Sequence, residues 1–294
     1  MSHMTDHTIF EGQVGADRNR SVDQVFGVWT EAMAQLVSYR YFGTQSVLND
    51  RHHATGTMPM REDMRASAGM RLAPLAIGML DVAGNNMDRY YQLGLTQIDI
   101  HAFDGASGTE RVALAGQVVR EARTQVFTEV LLSDEATGRT LGHGSANWAI
   151  INPTPPGFIY TDPGPGPDYN PPMPPLTEVF EASPTADGGY VIPGLSPRLG
   201  ADTLHHGPIL VVMEAAALDI AEAQSDAGSV CPVALSCRIV RAGRKGPFKI
   251  VARMLSRNGE LISCRVEMRD EGRENEIVAV MMWQATLTKG DQKI

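Results

Sequence analysis

Two carboxylates set in otherwise apolar stretches are the residues of this sequence best placed to do chemistry. Glu214 lies in Met213-Glu214-Ala215-Ala216, and Asp81 in Leu80-Asp81-Val82-Ala83. A lone carboxylate in so apolar a helix is costly to bury unless it has partners. Upstream of Glu214 runs Leu204-His205-His206-Gly207-Pro208, which predicts the start of a helix. A helix N-terminus offers unpaired backbone N–H groups and positive potential, so it can polarise a carbonyl and stabilise an oxyanion. Glu214 follows roughly two turns later, where its side chain can face the same site. An acid that attacks, or that activates water, beside an oxyanion site is the minimum equipment for acyl transfer. The matching stretch in the N-terminal half is Gly69-Met70-Arg71-Leu72-Ala73-Pro74, followed by Asp81. Asp81 has a plainer alternative, which is to face solvent or cap a neighbouring loop.

A second group is the turn Arg241-Ala242-Gly243-Arg244-Lys245, with three cations, Arg241, Arg244 and Lys245. Such a turn can hold phosphate groups, and solvated surface charge is the alternative. Its counterpart, residues 104–110, is acidic. His52-His53, and His101 with His143, lack HxH or HExxH spacing, so no metal is expected. Ser67 and Ser145 stand outside any nucleophile-elbow context. No glycine-rich phosphate loop of the GxGxxG or GxxxxGKS type occurs.

The elements that must position these groups follow from periodicity and turn chemistry. Residues 21–40 predict a helix, with Ser21 as N-cap and Gln24 in the capping-box position. A short strand at 52–60 precedes a helix and its approach loop at 69–86, where Pro74 suits a first turn. Strands follow at 91–103, at 111–132 with an internal bend, and at 140–151. Residues 153–175 are rich in Pro, Gly, Asp and Tyr, lose all apolar period, and read as an extended linker. Beyond the linker the order repeats, with a short strand at 189–193 and a helix at 206–224. Strands at 232–242, 248–255, 261–269 and 277–287 complete it, with Asn258-Gly259 as a hairpin turn. Trp148 and Trp283 each fall in the last strand of their half. Leu132-Ser133-Asp134-Glu135 and Met268-Arg269-Asp270-Glu271 each precede a late turn. Order, element type and local matches together predict an internal duplication. Residues 1–40 form an N-terminal segment and helix, 41–152 a first α+β module, 153–175 the linker and 176–294 a second module.

Composition agrees. The 294 residues are 43% hydrophobic, enough for full cores and about two domains. A net charge of −9 argues against a nucleic-acid partner. Cys231, Cys237 and Cys264 form no CxxC pair and read as reduced thiols. No apolar run approaches the roughly 18–20 residues of a membrane span. Met1-Ser2-His3-Met4 resembles a cloning remnant, with no signal-peptide core after it. A cytoplasmic protein without membrane partner is expected.

At the two acids the sequence resembles the hotdog-fold acyl-CoA thioesterases of the phenylacetate-pathway (PaaI-like) type, in a fused double-hotdog form. The family pattern is a Gly, then His-Gly-Gly, then an Asp or Glu nine positions beyond that His. Counting back from Glu214 puts the histidine on His205 and the glycine pair on His206 and Gly207. Counting back from Asp81 gives Leu72, Ala73 and Pro74, so the first half has lost both the histidine and the glycines. At His206, where Gly is usual, a backbone N–H can still act. With His206 as the motif histidine instead, the acid is displaced by one residue. The resemblance extends to residues 241–247 and 278–286 and omits the N-terminal segment and the linker.

It implies a tandem hotdog, each module a central helix wrapped by an antiparallel β-sheet. It implies two non-identical sites, each assembled across the interface between the hotdogs, here within one chain. The implied activity is hydrolysis of an acyl-CoA or related acyl-thioester. Glu214 or Asp81 would be nucleophile or general base, and the helix start at His206-Gly207 would polarise the carbonyl. Coenzyme A would enter as part of the substrate, its phosphates on Arg241, Arg244 and Lys245, with no dissociable cofactor. Assembly into a homodimer or higher oligomer is open to such a chain. The rival readings are an acyl-thioester dehydratase or hydratase, and a non-catalytic acyl- or CoA-binding protein.

Overall fold

The computed structural model describes residues 35–88, 90–154, 172–225 and 228–288. Most of the predicted helix over 21–40, and residues 155–171 of the predicted linker, lie outside them. The described chain begins with a short helix α1 (Val37–Tyr41) and the hairpin β1 (Gln45–Leu48) and β2 (His53–Pro59). A long helix α2 (Leu72–Asp88) follows. Then come β3 (Tyr91–Ala102), β4 (Arg111–Glu121), β5 (Gln125–Asp134) and β6 (Thr140–Pro153). The second half has a short helix α3 (Leu176–Val179), β7 (Ser183–Pro184), β8 (Tyr190–Ile192) and a long helix α4 (His206–Ala223). It ends with β9 (Ser229–Ile239), β10 (Phe248–Asn258), β11 (Leu261–Asp270) and β12 (Glu276–Thr288).

These strands make one 12-stranded antiparallel sheet in the order β1-β2-β4-β5-β6-β3-β9-β12-β11-β10-β8-β7. Adding six to each label of the first half gives the second half in reverse, so the duplication is written into the topology. The halves meet edge to edge between β3 and β9, where Ile98 pairs with Cys237 and Ile100 with Leu235. The predicted strand over 111–132 is two strands, β4 and β5. Its bend is a full reversal at Ala122-Arg123-Thr124, closed by Ala122 N donating to Gln125 O at 2.8 Å.

Both long helices are buried over most of their length because apolar residues run round every face there. Every residue of α4 from Gly207 to Leu218 is buried, and a helix apolar all round belongs inside a core. Each long helix packs on the strands of its own half, and α2 and α4 also touch each other. One continuous apolar core joins Leu75 and Ile77 of α2, Leu210 and Val212 of α4, and Ile98, Ile100 and Leu235 at the seam. Gly144 allows the close approach of helix to sheet, since a Cβ there would stand 2.0 Å from Met79 Cε. Pro74 and Pro208 are the third residues of their helices, where proline removes no intrahelical hydrogen bond. Among the described residues no helix is long and apolar enough to cross a membrane.

Candidate active site at the helix ends

Glu214 is 1% exposed, in the middle of α4. Its carboxylate reaches the other half of the chain and caps α2. Leu72 N donates to Oε1 at 2.7 Å and Ala73 N donates to Oε2 at 2.8 Å. The indole Nε1 of Trp283, on β12, donates to Oε1 at 3.2 Å. Two backbone donors that no helix can satisfy internally are thus met by a charged group. Sequence reasoning paired Glu214 with the start of its own helix, His206-Gly207, and the structure corrects this. Eight residues along a helix is ~12 Å of rise, so the side chain meets the end of the neighbouring helix instead. Burial pushes the Glu214 carboxyl above the usual carboxylate range. The N–H groups of Ala73 and Leu72, the positive charge of Arg71 and the Trp283 indole oppose it without cancelling it.

The start of α4 keeps different company. His205 Nδ1 lies 3.1 Å from Ser38 Oγ, a fully buried hydroxyl brought by α1. A Cβ on Gly207 would stand 2.0 Å from Ser38 Oγ and 2.6 Å from Ser38 Cβ, so α1 seats directly on this helix end. Phe180 closes in as well, its ring 3.3 Å from the same point, and Phe180 stacks on Phe42 beyond α1. Loss of hydration pushes both imidazoles down, His205 to about 3, and both stay neutral at ordinary pH. Their rings lie in contact, centroids 3.7 Å apart. Asp81 is buried on α2, 4% exposed. It is the tenth residue of its helix, whereas Glu214 is the ninth of α4. One residue is about 100° of helical turn, so the two acids do not occupy equivalent positions.

The basic turn is organised by a carboxylate. Asp270 ends β11, is 1% exposed, and accepts the backbone N–H groups of Arg244 at 2.8 Å, Lys245 at 3.0 Å and Gly246 at 2.9 Å. Arg241 pairs with Glu276, which Arg273 approaches at 3.4 Å. Arg244 is partly buried, and that burial, with Arg273 nearby, pushes its guanidinium down against the pull of Asp202. Lys245 is exposed. Leu204 N donates to Gly243 O at 2.7 Å, so the turn lies against the start of α4. In the first half Asp134 ends β5 in the matching place and accepts Thr137 N and Oγ1, both at 2.8 Å. His53 pairs with Asp50 at 2.9 Å and His52 lies 3.5 Å from Glu121. The three cysteines are buried and unbridged.

Sequence reasoning singled out Glu214, Asp81 and the His205-His206-Gly207 stretch, and it did not foresee Ser38 or the contact of Trp283. Ser38 sits in a run read as an ordinary packing helix. Trp283 was visible as a marker of the repeat, and its indole N–H gave a signal only in the sense that a buried tryptophan needs an acceptor.

A long buried helix laid on antiparallel strands, twice over in one sheet, is the hotdog fold. A protein of unknown function with that fold from Alicyclobacillus acidocaldarius resembles the chain with TM-score 0.53 at 11% identity, over 83% of this chain and 96% of that one. An acyl-CoA thioesterase II from Mycobacterium marinum matches with TM-score 0.53 at 14% identity, over 89% and 99%. A 12:0-ACP thioesterase from Umbellularia californica matches with TM-score 0.55 at 10% identity, over 80% and 94%. At such identities the likeness is one of fold. Residues 201–277, which carry Glu214, His205 and the basic turn, match the thioesterase superfamily. Among curated proteins no sequence matches the chain.

Proposed function

We propose that the protein hydrolyses an acyl-thioester, of coenzyme A or a related carrier, at the start of α2 with Glu214 as the base. The observation that carries this reading is the buried Glu214 carboxylate lying on the N–H groups of Leu72 and Ala73. These are an oxyanion-stabilising helix end and a carboxylate at one point, drawn from opposite halves of the chain. The thioester carbonyl oxygen takes up a helix N–H, and its carbon comes to lie under the carboxylate. Glu214 removes a proton from water, and the water oxygen bonds to the carbonyl carbon. The C–S bond then breaks, and the leaving thiolate takes the proton from Glu214. The products are a carboxylic acid and a thiol, and no dissociable cofactor is consumed. Burial raises this carboxyl, which makes its ionised form a stronger proton acceptor.

The match of residues 201–277 to the thioesterase superfamily supports the reaction class. The nine-residue spacing from His205 to Glu214 supports the finer phenylacetate-pathway assignment. Arg241, Arg244 and Lys245 are the cations assigned to coenzyme A phosphates, Arg241 also pairing with Glu276. A cytoplasmic location and further assembly of the chain into a homodimer belong to the same reading. The test is thiol release across a panel of acyl-CoAs. Release by the wild type and its loss in Glu214→Gln are expected. No release from any thioester would remove hydrolysis, and conversion of an enoyl thioester without free thiol would put a hydratase in its place.

A further inference from the structure

The Glu214 carboxylate is held unevenly. Oε1 accepts two N–H groups, from Leu72 at 2.7 Å and Trp283 at 3.2 Å, while Oε2 accepts one, from Ala73 at 2.8 Å. A carboxylate oxygen has about two lone-pair sites, so Oε1 is filled and Oε2 is not. Both helix N–H groups that could polarise a substrate carbonyl are occupied by Glu214 itself. A thioester can enter the proposed site only if one of them changes partner. Releasing Ala73 N–H leaves Oε1 still held by two donors. Releasing Leu72 N–H would leave each oxygen on a single donor and let the carboxylate turn.

We infer that Trp283 is the positioning residue of this site. Its indole N–H anchors Glu214 Oε1 while the substrate carbonyl takes over the Ala73 N–H, which leaves Oε2 as the oxygen that handles the proton. The inference rests on the hydrolase reading. It also explains an asymmetry between the two tryptophans of the repeat. Trp148, in β6, donates to Thr128 Oγ1 at 3.0 Å and lays its ring 3.2 Å from a Cβ position on Gly84. Trp148 is a packing residue with a satisfied N–H, whereas Trp283 spends its N–H on the acid.

The experiment is Trp283→Phe in the full chain, which keeps an aromatic ring and removes the donor. A hydrogen bond to a charged group is worth about tenfold or more in an equilibrium, so kcat should fall by about tenfold or more with KM within about twofold. The acid limb of the kcat/KM profile should move to higher pH, because removing a donor to the charged form disfavours it. Trp148→Phe should leave that limb in place, and thermal melts of both variants report folding. Wild-type kcat and an unmoved acid limb in folded Trp283→Phe would overturn the inference. A readout independent of turnover separates its failure from that of the hydrolase reading. The 15N indole resonance lost in Trp283→Phe should shift as pH is lowered through the Glu214 titration, and should stop shifting in Glu214→Gln. A resonance indifferent to pH overturns the contact. A coupled resonance in a protein that releases no thiol confirms the contact and removes hydrolysis as its purpose.

Discussion

The start of α2 and the start of α4 are the same place in two copies of one fold, and they have been filled in opposite ways. At α2 the helix end receives a carboxylate from the other half and carries the cation Arg71. At α4 the helix end carries two neutral imidazoles of its own and meets a neutral hydroxyl, and the short helix α1 of the other half sits on it. In a symmetric homodimer both ends would be built from one sequence and would have to match. Fusing two copies into one chain lifts that constraint. One end can keep charge and chemistry while the other is closed by packing.

The largest effect should come from the acids. Glu214→Gln should lower kcat by on the order of a hundredfold or more, while Asp81→Asn should cost only a few-fold. Thiol-release assays on both variants measure this. If Asp81→Asn is the inactivating change, the working end is α4 and the comparison inverts.

The closed end is tested by Gly207→Ala. The added methyl would meet Ser38 Oγ at 2.0 Å, so α1 must shift, at a cost of about 1–3 kcal/mol in urea unfolding. Ser38→Gly in the same chain should recover most of it. Undiminished stability in Gly207→Ala alone would mean that α1 is not seated there.

Acid should act on the two ends in opposite senses. Burial pushes the folded His205 imidazole down to about 3, against about 6.5 when unfolded. Its stabilising contribution is therefore complete above about 6.5 and is lost progressively as pH falls toward 3. Unfolding midpoints should drop between pH 7 and 4, and less steeply in His205→Gln. Glu214, raised when folded, contributes stability below its unfolded pKa that fades as pH rises through its folded one. Activity needs the ionised form, so its acid limb should lie above the ordinary glutamate range. Equal slopes in wild type and His205→Gln would clear His205 of the acid sensitivity.

The smallest effect concerns the basic turn. Charge reversal at Arg244 and Lys245 should raise KM for an acyl-CoA a few-fold at low salt and less at high salt, because salt screens the exposed Lys245 charge and, less fully, the partly buried Arg244. An unchanged KM at both ionic strengths assigns these residues to the solvated surface.

How far the sequence could be read depended on whether a feature is local. The helices around Pro74 and Pro208, the matching of Asp134 with Asp270 and the paired tryptophans are patterns within short windows, and all were legible. The reversal at Ala122-Arg123-Thr124 was not, because it contains no Gly, Pro, Asn or Asp to announce a turn. The resemblance implied a site shared between the two halves, but which residues meet Glu214 was not legible from spacing. Spacing along one helix says how far two residues stand apart and nothing about which other helix end lies opposite. Ser38 makes the same point, since its role comes from where α1 docks. Even the basic turn was legible only as charge, for its backbone is fixed by Asp270, 25 residues beyond Lys245.

The contact between Leu72 and Glu214 joins residues 142 positions apart in the chain. Closing so long a loop has an entropic cost that short-range pairings such as β10 with β11 do not carry, and long-range pairings are slow to form. A nascent chain with only its first half folded holds the helix end and lacks the acid. Competence then arrives with the final docking of the halves, and recovery of activity after denaturant jump should lag the return of helical signal. Once formed, both halves of the site travel on one polypeptide, so dilution cannot separate them.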